Sequence, residues 1–194
     1  MIQHKTQAGF SLVEVLVAIS ILLIATVGPM TIAAQALKSA QYSREQNTAF
    51  FLAQEGIEAV ILLRNEAGIA HTRNPASVSS SAWISTSVDN ACIINSQGCG
   101  LSFNSVTNPT PTLVTCTTSS NNPCRLYFNA NAARARYTHS SSQAVLTPYR
   151  RHIYIDRISV RYRVISEVQW QPAGNLPPQT VRLETYLHDI YNTN

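Results

Sequence analysis

The stretch from Phe10 to about Ala34 constrains this chain more than any other. It is a long apolar run holding a single formal charge, Glu14. About 20 consecutive apolar residues are enough for a helix to cross a bilayer core, and the run reaches that length. A carboxylate inside such a span costs about 2.5–3.5 kcal/mol on insertion scales, so Glu14 needs a compensating role. A short polar leader, Met1 to Gly9, precedes the run and carries Lys5 and His4. Positive charge ahead of a span favours a cytoplasmic N-terminus. The rest of the chain is then expected beyond the cytoplasmic membrane.

Two ordinary readings compete for this segment. A secretory signal peptide would be cut after Ala34-Gln35-Ala36. Its apolar core, however, would span only about 7–15 residues and carry no acid. A plain single-span anchor would let Glu14 snorkel about 6 Å inside the helix start, near the positive end of the helix dipole.

The residues at the junction favour a third reading. Gly9-Phe10-Ser11-Leu12-Val13-Glu14 resembles the N-terminus shared by type IV prepilins and type II secretion pseudopilins. In that family a membrane peptidase cuts after the glycine and the new first residue is N-methylated. The resemblance therefore makes Gly9 and Phe10 processing positions and makes Glu14 a guide to subunit packing. It also implies the partners: a prepilin peptidase and methylase, an inner-membrane assembly platform, the cytoplasmic membrane, and other pilin subunits. The phrase Phe50 to Ala59 is similar, more loosely, to the second part of the helix in minor pilins and pseudopilins.

Four segments are expected: a leader over 1–9, a transmembrane and filament-core helix half over 10–34, an amphipathic helix half over 35–66, and a globular head over 67–194. The head and outer helix half amount to about 160 residues, one ordinary domain. Gly28-Pro29 marks a kink, because proline removes a helix hydrogen bond. The pilin resemblance implies a flexible or melted segment there in assembled filaments. Beyond it, Ala36, Ala40, Phe50, Ala53, Ile57, Val60 and Ile61 recur at helical spacing and predict an apolar stripe laid on a sheet. Gly56 is expected to allow close approach to that sheet, and Gly68 to end the helix.

Residues from about 70 to 120 are rich in Ser, Thr, Asn and Pro and read as a long loop region, touching the core at Trp83-Ile84 and Leu113-Val114. A loop of that length needs staples. Cys92, Cys99, Cys116 and Cys124 supply them if the compartment is oxidising. Nearest-neighbour pairing gives Cys92–Cys99 and Cys116–Cys124, among three connectivities. The spacings C-x6-C and C-x7-C are too wide for an ordinary zinc site, so no metal or other cofactor is expected.

Strands dominate the end. Arg125 to Phe128 is a short one. Ile153 and Ile155 share a face of His152–Asp156. Val160, Tyr162, Val164, Val168 and Trp170 share a face of the next strand, with Arg161, Arg163, Ile165, Glu167 and Gln169 opposite. The inward parity changes between Ile155 and Ile158, which predicts a turn or bulge near Arg157. Gln171 to Pro178, with Pro172, Gly174, Asn175 and Pro177, reads as a turn. Thr180 to His188 returns with Val181, Leu183, Thr185 and Leu187 on one face, completing an antiparallel hairpin.

No catalytic constellation accompanies this pattern. His152, Asp156, His188 and Asp189 lack a nucleophile motif beside them, so no enzymatic activity is expected. Arg125, Arg134, Arg136, Arg150, Arg151, Arg157, Arg161 and Arg163 form a basic cluster. It reads as a solvated sheet face paired with acids such as Glu167 and Glu184, and less well as a DNA-binding surface, because no exposed aromatics interleave it. The net charge of +4 is too small to decide between them.

The fold expected is α+β and pilin-like: one long N-terminal helix, its first half in the membrane, packed on an antiparallel sheet with a disulfide-stapled loop region. The function expected is structural, a subunit, and a minor one, of a type IV pilus-like filament or a type II secretion pseudopilus. The alternatives are a tip pilin that binds DNA or a surface, and a single-span anchored exported protein that forms no filament.

Overall fold

The computed structural model describes residues 9, 11–76, 92, 97–103, 111–116, 124–130, 135–139, 141, 144–159, 161–172 and 177–188. Expectations for residues 1–8, Phe10, Trp83, Ile84, Arg134, Val160, Gly174, Asn175 and Asp189 fall outside them.

Helix α1 runs Leu12–Arg73. Ser11 caps its start, accepting from the Val15 N–H at 3.2 Å, as an N-cap carbonyl does. The end follows from Pro75, which has no N–H to donate; the last bond runs from the Asn74 N–H to the Ala70 carbonyl at 3.0 Å. The expected stop at Gly68 is corrected. An interior glycine costs a helix only about 1 kcal/mol, and here Gly68 is buried within α1. His71 and Arg73 in the last turn complement the negative end of the helix dipole. Gly28 and Pro29 are both helical. Nearby hydroxyls bond back onto the helix: Thr31 Oγ1 donates to the Gly28 carbonyl at 2.8 Å and Thr26 Oγ1 to the Leu22 carbonyl at 3.0 Å.

The chain divides into two units, Met1–Arg44 and Glu45–Asn194. In the first, the described residues from Ser11 onward are helical or cap the helix, and all are exposed. The second contains a seven-stranded antiparallel sheet: β1 (Cys99–Phe103), β2 (Pro111–Thr115), β3 (Arg125–Asn129), β4 (Arg136–Thr138), β5 (Val145–Ile158), β6 (Arg161–Trp170) and β7 (Gln179–His188). β5 is the hub. One edge pairs with β6, from Tyr149 opposite Trp170 to Ile158 opposite Arg161. Its other edge is shared by β3, through Arg125 opposite Arg150, and β1, through Cys99 opposite Ile153. β7 closes the β6 side in unbroken register, from Arg161 opposite His188 to Trp170 opposite Gln179. The predicted β6–β7 hairpin is therefore present.

Two further expectations are corrected. The 70–120 stretch is not all loop: β1 and β2 pair from Cys99 opposite Thr115 to Phe103 opposite Pro111, with Leu101 buried and Leu113 packed on the core. Of the turn or bulge expected near Arg157, a turn is present, two residues further on, and no bulge. The β5–β6 register is continuous, and Ile158 faces outward and is exposed. The reversal comes after it, where Ser159 takes a left-handed φ of 56°. Such a conformation suits a tight hairpin whose twist matches its strands. β5 does carry an irregularity at its other end, where the β3 register slips between Arg125 and Tyr127. Pro148 sits there, at the kind of position a sheet tolerates proline.

The buried helix stripe is Ala49, Leu52, Ala53, Gly56, Ala59 and Val60. Phe50 and Phe51 lie off it and are exposed, and Ala36 and Ala40 are exposed in the first unit, which corrects the predicted stripe. Two apolar clusters result. Ala49, Leu52 and Ala53 meet Leu126, Tyr149, Val168 and Trp170. Ala59 and Val60 meet Leu101, Ile153, Ile155, Tyr162, Val164 and Leu187, with Cys92 and Cys99.

Between the clusters lies a polar seam. Gly56 faces Ser166 on β6 and Arg151 on β5. A Cβ on Gly56 would collide with Ser166 Oγ and lie 3.2 Å from Arg151 Cδ and 3.3 Å from Ser166 Cβ. The expected close approach at Gly56 is therefore real. Arg151 is 1% exposed, yet its charge is held: Nη1 donates to the Leu52 carbonyl at 3.1 Å and to Glu55 Oε2 at 2.7 Å. A buried guanidinium without such partners would be strongly destabilising.

Gly56→Ala should therefore lower stability by about 1–3 kcal/mol, despite alanine's better helix propensity. Adding Ser166→Ala, which removes the colliding hydroxyl, should restore part of the loss. Urea denaturation of the full chain and the two variants, followed by circular dichroism, measures both.

Candidate functional site

At the N-terminus, Gly9 is exposed and lies outside the helix, with nothing within 4 Å of the space a Cβ would fill. Glu14 sits in the first turn of α1, where the unpaired N–H groups favour an anion. The side chains after it find no cover. Leu16, Ile19, Ile21, Leu22, Leu23, Ile24, Val27, Met30 and Ile32 are each at least half exposed. The helix is long and apolar enough to cross a membrane, and none of its most apolar window is buried. A soluble core helix with the same composition would be covered by its own protein.

The basic cluster does not form one surface. Arg151 points into the helix–sheet seam. Arg163 pairs with Asp156 across β5–β6 at 2.9 Å, and the Arg157 guanidinium lies 5.9 Å from the Tyr162 ring centre. Cross-strand pairing with acids is thus partly as expected, with different partners. Glu167 accepts from Gln169 Nε2 at 2.7 Å, and Glu184 pairs with Arg182 on its own strand at 3.6 Å. Asp156 is committed to Arg163, while His152 Nδ1 lies 3.0 Å from the Gln97 carbonyl and His188 lies opposite Arg161 at the end of β7. These groups converge on no common point.

The comparisons with known proteins address the N-terminus alone. Residues 4–28 match the family model of the prokaryotic N-terminal methylation motif. The chain carries the type IV pilin and pseudopilin signature. No curated protein and no solved structure matches the chain, so the head stands on its own geometry. The methylation motif covers Gly9, Phe10 and Glu14 and reaches Gly28. It therefore spans the exposed glycine, the first helical turn and most of the uncovered apolar surface.

The cysteines pair as nearest neighbours, Cys92–Cys99 with Cα atoms 4.9 Å apart and Cys116–Cys124 with Cα atoms 5.4 Å apart. All four are buried. Cys92 and Cys99 enter the larger apolar cluster. Cys124 abuts β3, and its carbonyl accepts the Arg151 N–H at 2.8 Å. The sulfurs of Cys116 and Cys124 approach His152 within 4.8 Å. Joined to each other they carry no thiolate charge to hold a cation.

Sequence reasoning found Gly56 but missed the buried Arg151 and Ser166 that it meets. The signal for the arginine was present: Arg151 has the same strand parity as Tyr149, Ile153 and Ile155, and so had to face inward. In protein recovered from outside the cytoplasm, alkylation without reduction should label none of the four cysteines. Reduction should cost about 2–3 kcal/mol for each bridge, by loop-closure entropy. Mass spectrometry and denaturation with and without reductant check the two outcomes.

Proposed function

We propose that this chain is a structural subunit, of the minor kind, of a type IV pilus-like filament or a type II secretion pseudopilus. The observation that carries the proposal is a methylation motif at the head of a helix whose apolar side chains are uncovered. Covering a large aliphatic side chain is worth about 1.5–3 kcal/mol, so this surface needs lipid or protein around it. In the precursor, lipid covers it and the chain is anchored in the cytoplasmic membrane. In the filament, the same faces of neighbouring subunits replace lipid. The segments then have separate tasks: 1–9 is the leader removed by the peptidase, 10–34 the span and filament core with its kink at Gly28 and Pro29, 35–66 the outer helix half, and 67–194 the head.

Glu14 has a specific part in this scheme. Cleavage after Gly9 leaves an α-amine on Phe10, which is then methylated. A cation entering an apolar bundle without a partner is costly, and a carboxylate on the adjacent subunit offsets that cost while setting the axial register. The dispersal of the arginines weighs against a DNA track along the sheet.

Glu14→Ala makes the span more apolar, so insertion and processing should stay near normal. Incorporation into sheared surface filaments, or the secretion that depends on them, should fall at least tenfold, with Glu14→Asp intermediate. Immunoblots of membrane and sheared fractions measure both. Undiminished Glu14→Ala in the sheared fraction would return the plain anchor to first place.

A further inference from the structure

The end of the sheet where β3, β5 and β6 meet contains a cleft of about 280 Å³. Arg125, Arg150, Gln169, Gln171, Thr147 and Trp170 line it, with Pro148 and Pro178. Its walls are firmly placed. The register slip between β3 and β5 falls here; such irregularities re-aim side chains and often flank sites. The Cys116–Cys124 bridge ends one residue before Arg125. Thr147 Oγ1 is occupied, donating to the Leu126 carbonyl at 2.6 Å, and Gln169 Nε2 donates to Glu167.

Two guanidiniums remain to face a ligand. Arg125 and Arg150 stand directly opposite each other across β3–β5. Like charges in that position are destabilising. Among the described residues neither makes an ion pair with an acid, and no Asp or Glu lines the cleft. Three other sheet arginines are paired with acids elsewhere: Arg151 with Glu55, Arg163 with Asp156, and Arg182 with Glu184.

We propose that this cleft binds a single oxyanion group, carboxylate or phosphate, carried by a ligand the size of one sugar residue: an acidic sugar. Two guanidiniums lining one cleft suit one planar or tetrahedral oxyanion, which a guanidinium grips through paired N–H donors. The volume lies at the small end of ligand sites. A nucleic-acid strand fits poorly. It needs a line of cations and exposed aromatic faces on which bases stack, whereas this pair is isolated and Trp170 is 3% exposed. The proposal concerns the head alone, so its failure leaves the filament reading intact.

The test uses the full chain in nonionic detergent with ¹⁵N-labelled tryptophan. The indole resonance of Trp170, assigned by its loss in Trp170→Phe, reports on the cleft it lines. Titrations with glucuronate and with glucose 6-phosphate separate the carboxylate from the phosphate source, glucose is the neutral control, and a short DNA duplex is the competing polymer. The expected result is a saturable shift with glucuronate, glucose 6-phosphate or both, and none with glucose. Arg125→Gln and Arg150→Gln should each weaken binding at least about tenfold, the loss of a charge-assisted pair, without lowering the melting temperature. Arg161→Gln, at the far end of β6, should leave binding within about twofold of the parent, as expected for a charge outside the site. No saturable shift with either acid at tens of millimolar would overturn the proposal. So would a shift that survives the Arg125→Gln/Arg150→Gln double substitution, or one that saturates only with DNA.

Discussion

The folded head depends on the contact at Gly56. Only a residue without a side chain lets α1 settle on the sheet there, against the small Ser166 and the aliphatic part of Arg151. The apolar clusters on either side, anchored by Leu52 and by Val60, form because the backbones approach at this point. A buried arginine at such a seam looks costly. It is held because Nη1 shares its charge with a helix carbonyl and the half-exposed Glu55, although its Nε is buried without a partner. Those two bonds are directional, so they also fix the helix along its axis, as greasy packing alone would not.

The other half of α1 obeys the opposite rule. From Leu12 to Leu37 its large apolar side chains lie in the open. One helix thus carries two surfaces: a narrow stripe of small residues, Ala49, Ala53, Gly56 and Ala59, matched to its own sheet, and a broad apolar surface matched to something outside the chain. The methylation motif stands at the head of that broad surface, and under the proposed function its cover is membrane lipid first and then the same helix from other subunits.

Much of this was legible in the residues, for physical reasons that differ by element. The Gly9–Phe10–Glu14 spacing is local chemistry and needs no tertiary knowledge. β6 and β7 alternate in sequence because one face packs on the core, so Tyr162, Val164, Val181 and Leu187 announce their side, although Ile165 on the opposite face of β6 is also buried. The nearest-neighbour cysteine pairing is the connectivity present. Other features were hidden because tertiary contacts decide them. Ile158 looked like a core residue and suggested a bulge, whereas a two-sided strand can leave an isoleucine outside. Phe50 looked like part of the buried stripe, but the stripe selects small residues where the backbones are close. β1 and β2 are only five residues each and lie in a stretch rich in Ser, Thr and Asn, so the alternation of Cys99, Leu101 and Phe103 in β1 was too short to stand out. Gly68 resembled a stop, yet burial made it an interior residue and left termination to Pro75. The cleft at Arg125 and Arg150 needs the β3–β5 register, which no reading of the chain in order supplies.

The claim on which everything else rests is that the exposed helix half is a processed filament segment and not a signal or an inert anchor. The mass of the N-terminal peptide of the native protein, isolated from the membrane or the surface of its own cell, tests it most directly. The mature chain should begin at Phe10 with a methyl group on its α-amine. A chain that begins at Met1 would show an unprocessed anchor. One that begins at Leu37 would show a cleaved secretory signal. Either would contradict the filament assignment.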